Sequence, residues 1–543
     1  MYTTNQRKNN NNKTNDNKVD YTFYYRSQVN QMIDDLLKAD EHSEYNKIHM
    51  IINDLREMEP HLLPVISERL RYASRDELGI LSHLLLLVGE DKNIESKMVT
   101  MLLDPDIPDR NKGNLISVME MHGYNTEIHS MDAVFKDPEK MIKESKEALV
   151  DDIKKNPMSI ASLFRELQDM PITACQELLE AFKNRKDYQL VDFFKSLALL
   201  DAPTLAREGV AQLGNIPHKA SRRALKELRA QPDRHFIHGE IDRQLQRLNL
   251  MGLEKEENQP DIETALETSF RQLGSDYYAA ITQVDASCNR VLVISRRSKG
   301  ADGGLLTMTF NINVQKGITR CNGFFQGSTK DYKELIKELR TDQTLVIEEP
   351  AYVRDIFRDA LYNNLENETP FSYEFAFWRQ FIPSEWLKPE SFTPSFKDEM
   401  KNLPESMDEL DRELKDIGNY RRFDHYLLDH PYVDELANEM LRWNQEQSEV
   451  KLLAQQEEVE SVYEELMEDM VMPNLNAYRR SFMLMADMYR KRGWNKLCRK
   501  MLAAVKRMSK GDLETIKSHP IFIKIGMSSL NNAAHFLYIQ WNQ

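Results

Sequence analysis

The residues of this chain that could do chemistry are mainly its cations. Arg492, Lys496, Arg499 and Lys500 stand at i, i+4, i+7 and i+8, so a helix gathers them on one face. The opposite face carries Trp494, Leu497, Cys498, Met501, Val505 and Met508, an apolar stripe at helical spacing. Arg479 and Arg480 extend the basic side. Charge is segregated here. Asp434 to Asp469 holds twelve acidic and two basic residues, whereas Arg479 to Lys510 holds eleven basic and one acidic. An open basic face of this kind binds phosphate or an acidic partner. Oppositely charged helices packed side by side explain the same pattern, and internal pairing is the stronger expectation.

A second basic stripe runs through Lys219, Arg222, Arg223, Lys226 and Arg229, with Arg234, Arg243 and Arg247 following. Arg222, Lys226 and Arg229 share one helical face. Such a stripe suits nucleic acid or an acidic peptide. Glu227, Asp233, Glu240 and Asp242 lie among these cations, so a solvated mixed face weighs more.

Other constellations are weaker. His235-x-x-His238-Gly239-Glu240 looks like half a metal site, but a closed zinc site needs four ligands and no cysteine stands at metal spacing. His425, Asp429 and His430 have ligand chemistry but precede Pro431 at a helix end. Gly300–Gly304 lacks the Lys-Ser/Thr of a P-loop and the spacing of a dinucleotide site, and reads as a hairpin connection. Arg296, Arg297 and Lys299 beside it could meet an anion. Cys321 precedes an Asn322-Gly323 turn and has no recognisable histidine partner. No metal or cofactor is implied, and a non-enzymatic protein is expected.

The elements that must position these residues follow from length and patterning. The chain has 543 residues, room for about three domains. Hydrophobic residues make up 41% and charged residues 29%, which is a globular balance. The formal net charge of −15 argues against a general nucleic-acid coat. Four scattered cysteines exclude a disulfide framework. The longest apolar stretch, Leu81 to Val88, is far short of the ~20 residues a membrane span needs. The N-terminus carries no apolar signal segment, so a cytoplasmic protein is expected.

Residues 1–18 are Asn-rich, and a disordered tail is expected. Residues 19–257 read as short amphipathic helices punctuated by prolines, with a capping box at Ser74-x-x-Glu77 and stops at Gly89 and Gly123. Ala206, Gly209, Val210 and Leu213 form one helical face, and Ala220, Ala224 and Leu228 the next. Leu102-Leu103-Asp104 followed by Arg110 recurs 97 residues later as Leu199-Leu200-Asp201 followed by Arg207. The segment Ala198 to Leu228 resembles a bacterial HEAT-like repeat, with Asp201 and Arg207 at positions where HEAT units often carry Asp and Arg. The resemblance covers about residues 60–250. It implies an α-solenoid whose faces bind other molecules, and it carries over no catalytic residue.

Residues 258–400 change character. Seven of the nineteen glycines fall between Gly274 and Gly327, among β-type runs at Tyr277–Val284, Arg290–Arg296, Leu305–Val314 and Ile318–Phe325. Turns are expected at Asp285–Asn289 and Lys316-Gly317. Helices at Lys330–Leu339 and Ala351–Leu365 are expected to cover one face of an antiparallel sheet. Residues 401–543 return to helix, with a capping box at Ser406-x-x-Glu409 and a stripe through Val459, Val462, Tyr463, Leu466, Met467 and Met470. The fold class expected is mainly α: a HEAT-like solenoid, a central α+β module and a C-terminal helical domain. The expected function is a protein-interaction scaffold that binds a partner protein on its solenoid surface. Two alternatives stand beside it: a nucleic-acid-associated protein using the basic surfaces, and an enzyme with a site at the α+β module involving Cys321 or the Arg296–Lys299 loop.

Overall fold

Amphipathic spacing, caps and prolines cut the N-terminal region into short helices that bury one face each. The computed structural model describes residues 22–38, 50–55, 58–87, 94–121, 123–124, 131–253, 264, 266, 273–299, 304–341, 345–420, 423, 426–428, 430–445, 452–510 and 512–542. The Asn-rich tail, Gly89, Gly300–Gly303, His425 and Asp429 lie outside the described residues. Helix accounts for 68% of the structure, with helices before and after one small antiparallel sheet. Met1–Val150 forms one compact unit and Asp151–Gln543 a second. The domain boundaries expected near residues 257 and 400 both lie inside that second unit. No helix among the described residues is long and apolar enough to cross a membrane.

In the first unit the helices Thr22–Lys38, Glu59–Leu70, Arg75–Leu87, Ile94–Leu102 and Asp109–Met121 close on a core that includes Val29, Ile33, Ile66, Leu81, Met98 and Leu115. Burying each such side chain contributes about 1.5–3 kcal/mol. The Ser74 hydroxyl accepts from the Glu77 amide at 3.3 Å, as the capping box requires. Gly123 ends the Asp109–Met121 helix at φ +74°, a backbone conformation that costs glycine nothing. Arg69 is the polar hub, donating to Asp34 at 2.6 Å, Glu77 at 2.8 Å and Asn30 at 2.8 Å.

In the second unit Val191–Ala198 packs against Pro203–Asn215, followed by Lys219–Arg229 and His238–Leu250. Ala206, Gly209, Val210 and Leu213 are buried, as are Ala220, Ala224 and Leu228. Gly209 permits the first contact. A Cβ there would stand 2.7 Å from both the Ala198 nitrogen and the Phe194 carbonyl oxygen. The two Leu-Leu-Asp turns are each clamped by an arginine from elsewhere. Asp104 meets Arg71 at 2.9 Å, and Asp201 meets Arg234 at 2.9 Å. Arg110 and Arg207, the arginines of the sequence repeat, are instead exposed.

The sheet comprises β1 (Leu273–Thr282), β2 (Asn289–Ser298), β3 (Leu305–Asn313), β4 (Gly317–Gly327) and β5 (Val346–Ile347), in the order β4-β3-β2-β1-β5. Neighbouring strands are antiparallel. The first turn closes through the Asp285 carboxylate, which accepts from the Asn289 amide at 2.7 Å. The second bends at Gly317, φ +80°. β5 is a two-residue addition to β1 that no alternation announces. Because strand side chains alternate, β2 splits its residues between two faces. Val293 joins Ala280, Leu305, Tyr332 and Ile336 under the helix Thr329–Thr341. Arg290, Leu292, Ile294 and Arg296 point to the other face. There Phe310, paired with Leu292, meets Phe357 of Pro350–Glu366 at 5.2 Å and Phe375 of Tyr373–Trp378 at 6.5 Å. Helices therefore cover both faces, not one as expected. The reason lies in β2 and β3, which bury apolar side chains at successive positions and so need cover on each side.

In the C-terminal part, Leu475–Lys491 and Asn495–Arg507 form an antiparallel pair. Leu497, Cys498, Met501 and Met508 are buried, while Trp494 and Val505 are half-buried. The Ser406 hydroxyl accepts from the Glu409 amide at 3.3 Å, so Ser406 caps the helix Met407–Leu414.

Candidate functional site

The four cations expected on one helical face are split, because Leu475–Lys491 ends at Arg492 and a turn through Gly493, φ +72°, precedes Asn495–Arg507. Arg492, in that turn, donates to the Val346 carbonyl at 2.5 Å. Lys496 pairs with Asp416 at 3.4 Å, and Arg499 with Glu413 at 3.2 Å. Lys500 is 3% exposed, sits 2.5 Å from Asp416 and also donates to the Glu413 carbonyl. Lys500, then Lys496, hold the Asp416 carboxyl below the usual carboxylate range. Lys506 and Arg507 continue the series on Glu405 at 2.7 Å and Asp411 at 2.8 Å. The acids that answer this helix thus come from Glu405–Asp416. Of the acidic run expected to face it, the described Glu464 meets Lys517 at 2.5 Å, and Glu465 and Asp469 each lie 2.8 Å from the Tyr432 hydroxyl.

The second stripe lies on Lys219–Arg229. Arg222 donates to Asn249 at 2.9 Å. Arg229 donates to Asp242 at 2.8 Å and stands 2.8 Å from the His238 Nδ1. Arg223 is half-buried. Lys226 is exposed and makes no hydrogen bond or ion pair with the described residues. Arg247 donates to Asn215 at 2.7 Å, and Arg243 pairs with Glu240 at 2.8 Å. The result is a surface of alternating sign.

The His235 and His238 rings are 5.1 Å apart, but both His238 nitrogens are occupied, by Arg229 and by the Gln231 carbonyl at 3.3 Å. Among the described residues no three His, Cys, Asp or Glu side chains are grouped to hold a metal. All four cysteines are buried. Burial pushes the Cys288 thiol up to about 12 and the Cys498 thiol up to about 11, and it raises Cys321 further. Cys321 sits 3.5 Å from the Ser372 hydroxyl, a packed position without the electropositive opening that a nucleophile needs.

Two clefts remain. One, of 430 Å³, lies where Val191–Ala198 and Lys219–Arg229 meet the end of β2 and the segment Arg379–Leu387. Lys195, Glu227, Arg296, Arg379 and Glu385 supply its charge. Lys195 and Glu227 pair at 2.5 Å. Arg296 is 8% exposed and donates to the Phe381 and Gly274 carbonyls at 2.9 and 3.1 Å. The other cleft, of 630 Å³, lies between the two sheet turns and the C-terminal helices, with Lys316, His430, Tyr432, Asp469 and Asn474 on its wall. Asp469 reaches it from the π-helical turn Met467–Val471, an irregularity often found at functional positions.

Nothing in the sequence singles out Lys195 or Arg379, because their meeting depends on a contact across about 180 residues. Arg296 was noticed for a neighbouring loop. Its parity with Leu292 and Ile294 was the available sign that it points inward. Arg290 shares that parity and is 3% exposed, close enough to Tyr352 and Asp359 to feel their charge. Arg480 joins them from the Leu475–Lys491 helix through Asp359 at 2.5 Å. No protein-family model, curated protein or solved structure matches this chain.

Proposed function

We propose that this protein is a non-enzymatic scaffold of the cytoplasm that holds a partner protein on its HEAT-like N-terminal helices. The observation that carries the reading is the mixed-sign surface around Lys219–Arg229. Arg222 and Arg229 are matched by an amide and a carboxylate from the neighbouring helix, Asn249 and Asp242, while Lys226 stays exposed. Such a surface offers a polyanion little uncompensated charge, and it suits the mixed, hydrogen-bonding surface of a protein. The repeated clamping of Leu-Leu-Asp turns, at Asp104 and at Asp201, supports the repeat character. The burial of Cys321, 1% exposed, weighs toward the scaffold reading over an enzyme that uses this thiol.

The test is a pull-down of the tagged chain from its host lysate, with and without nuclease, at low and moderate salt. The scaffold reading expects a defined protein that survives both treatments and is lost with Lys226→Glu combined with Arg223→Glu. Recovery that depends on nucleic acid, and falls steeply with salt, overturns it in favour of phosphate binding.

A further inference from the structure

The larger cleft is walled by side chains whose hydrogen-bonding capacity is only half used. The His430 Nδ1 accepts from the Tyr432 amide at 3.1 Å, so the neutral ring carries its proton on Nε2, a donor with no acceptor among the described residues. Asn474 donates its Nδ2 to the Met470 carbonyl at 2.8 Å, which leaves its Oδ1 to accept. Asn289 is the converse. Its Oδ1 accepts from Asn313 at 2.9 Å, which leaves its Nδ2 to donate. The Tyr432 hydroxyl has one proton but two carboxylates at 2.8 Å, Glu465 and Asp469, so one of them keeps an oxygen unanswered. The deepest of these groups is Tyr478. It lines the cleft and is 3% exposed, yet its hydroxyl has no hydrogen-bond partner among the described residues. Cys288 and Asp285 are close enough to act on its charge, which puts the phenol end beside the Cys288 turn, itself part of the cleft wall. An unbonded buried hydroxyl is a cost that packing alone does not explain, because phenylalanine would fill the same space. Both walls also depart from regular backbone. Cys288 stands at φ +61°, and Asp469 and Met470 belong to the π-helical turn.

We propose that this cleft binds a small polyhydroxyl molecule of the sugar class, with the Tyr478 hydroxyl as the buried contact and Asn289, His430, Asp469 and Asn474 around it. A hydroxyl both donates and accepts, so a ring of hydroxyls answers separate donors and acceptors placed around one space. The wall carries one lysine and one aspartate, Lys316 and Asp469, so its charge selects neither sign, and neither residue is in an ion pair among the described residues. Leu428 and Ala477 offer an apolar side to the C–H faces of a sugar ring. The volume of 630 Å³ falls within the ~300–1,000 Å³ of small-molecule sites. This inference is independent of the scaffold reading, because no residue of Lys219–Arg229 lines the cleft.

The test is calorimetric titration of the full chain with glucose, with ribose and, separately, with alanine, a zwitterion without hydroxyls. Sugars raise melting temperatures by exclusion from any protein surface, so a saturating isotherm is the readout. The expected result is saturable binding of glucose or ribose near one per chain, and none of alanine. Tyr478→Phe should weaken that binding by about three- to tenfold, as for the loss of one neutral hydrogen bond. It should leave the melting temperature of the unliganded chain unchanged or higher, because the hydroxyl it removes holds nothing in the protein. Asn474→Ala, at an exposed position, weakens binding likewise and serves if the tyrosine variant fails to fold. Lys496→Gln, which does not line the cleft, is the control that leaves binding unchanged. Absence of saturable binding by both sugars, saturation by alanine alone, or sugar binding that survives both cleft substitutions overturns the proposal.

Discussion

Two basic helices of this protein look alike in sequence and differ in structure. Asn495–Arg507 and Lys219–Arg229 each carry cations at helical spacing on one side and small or apolar residues on the other. The first is used inward. Lys500 is 3% exposed against Asp416, and Arg507 is likewise buried against Asp411. The second is used at the surface, where Lys226 stands in solvent while Arg222 and Arg229 reach sideways to the next helix. A charge stripe therefore says little about binding until its partners are known. What separates the two cases is whether a second layer covers the basic face.

The largest test of that difference is Lys500→Ala against Lys226→Ala. Removing Lys500 leaves Asp416 with one fewer cation and opens a buried site, and about 3–5 kcal/mol of stability should be lost. Lys226→Ala should stay within ~0.5 kcal/mol. Urea unfolding of the two variants reads both, and equal effects would dissolve the contrast.

The pH dependence sharpens the inward case. His519 is fully buried behind Asn495–Arg507, its Nε2 3.3 Å from the Ala504 carbonyl while its Nδ1 accepts from the Ile521 amide. Burial pushes its pKa down from 6.5 to about 4. Folding thus favours the neutral ring. Its contribution is complete above about pH 6.5 and shrinks toward pH 4, because the unfolded chain takes up the proton first. The loss should reach about 3 kcal/mol. Melting temperatures between pH 7 and 4 should show it, and His519→Gln should flatten that slope.

On the other side of the comparison, Gly209→Ala tests how tightly the helices behind the surface stripe are packed. Alanine gains up to ~1 kcal/mol in helix propensity but meets two backbone atoms at 2.7 Å that cannot swing away. The clash should win, with a net loss of about 1–3 kcal/mol by urea unfolding. The smallest expected effect is Lys496→Ala, on the same helix as Lys500. Its side chain is 71% exposed, so solvent screens the Asp416 contact and urea unfolding should barely separate the variant from the parent. A cost as large as that of Lys500 would mean that exposure is the wrong measure of the difference.

Much of the fold was legible because its signals are short-range. Both capping serines bond the amide three residues on, the four long strands lie where β-branched and apolar runs placed them, and the small-residue faces of Pro203–Asn215 and Lys219–Arg229 are buried. β5 was invisible because two residues carry no period. The cover on both sheet faces was missed because two helices following a sheet in sequence do not say to which side each folds. The pairing of basic with acidic residues in the C-terminal region was anticipated in kind, but the partner was misread. The Asp434–Asp469 run is closer in sequence, and Glu405–Asp416 is closer in space.

The sequence by itself determined where helices start and stop, which strand positions share a face, and that the cysteines form no spaced pair. Caps, turns and side-chain alternation act over four residues or fewer, so the local chain suffices to state them. Only the tertiary structure decided which carboxylate neutralises which cation, that Arg296 and Arg379 meet Lys195 at one cleft, and that Lys500 is buried while Lys226 is not. Charge and burial depend on whatever the fold brings within a few ångströms, and for Lys496 and Lys500 that is chain 80 and 87 residues away.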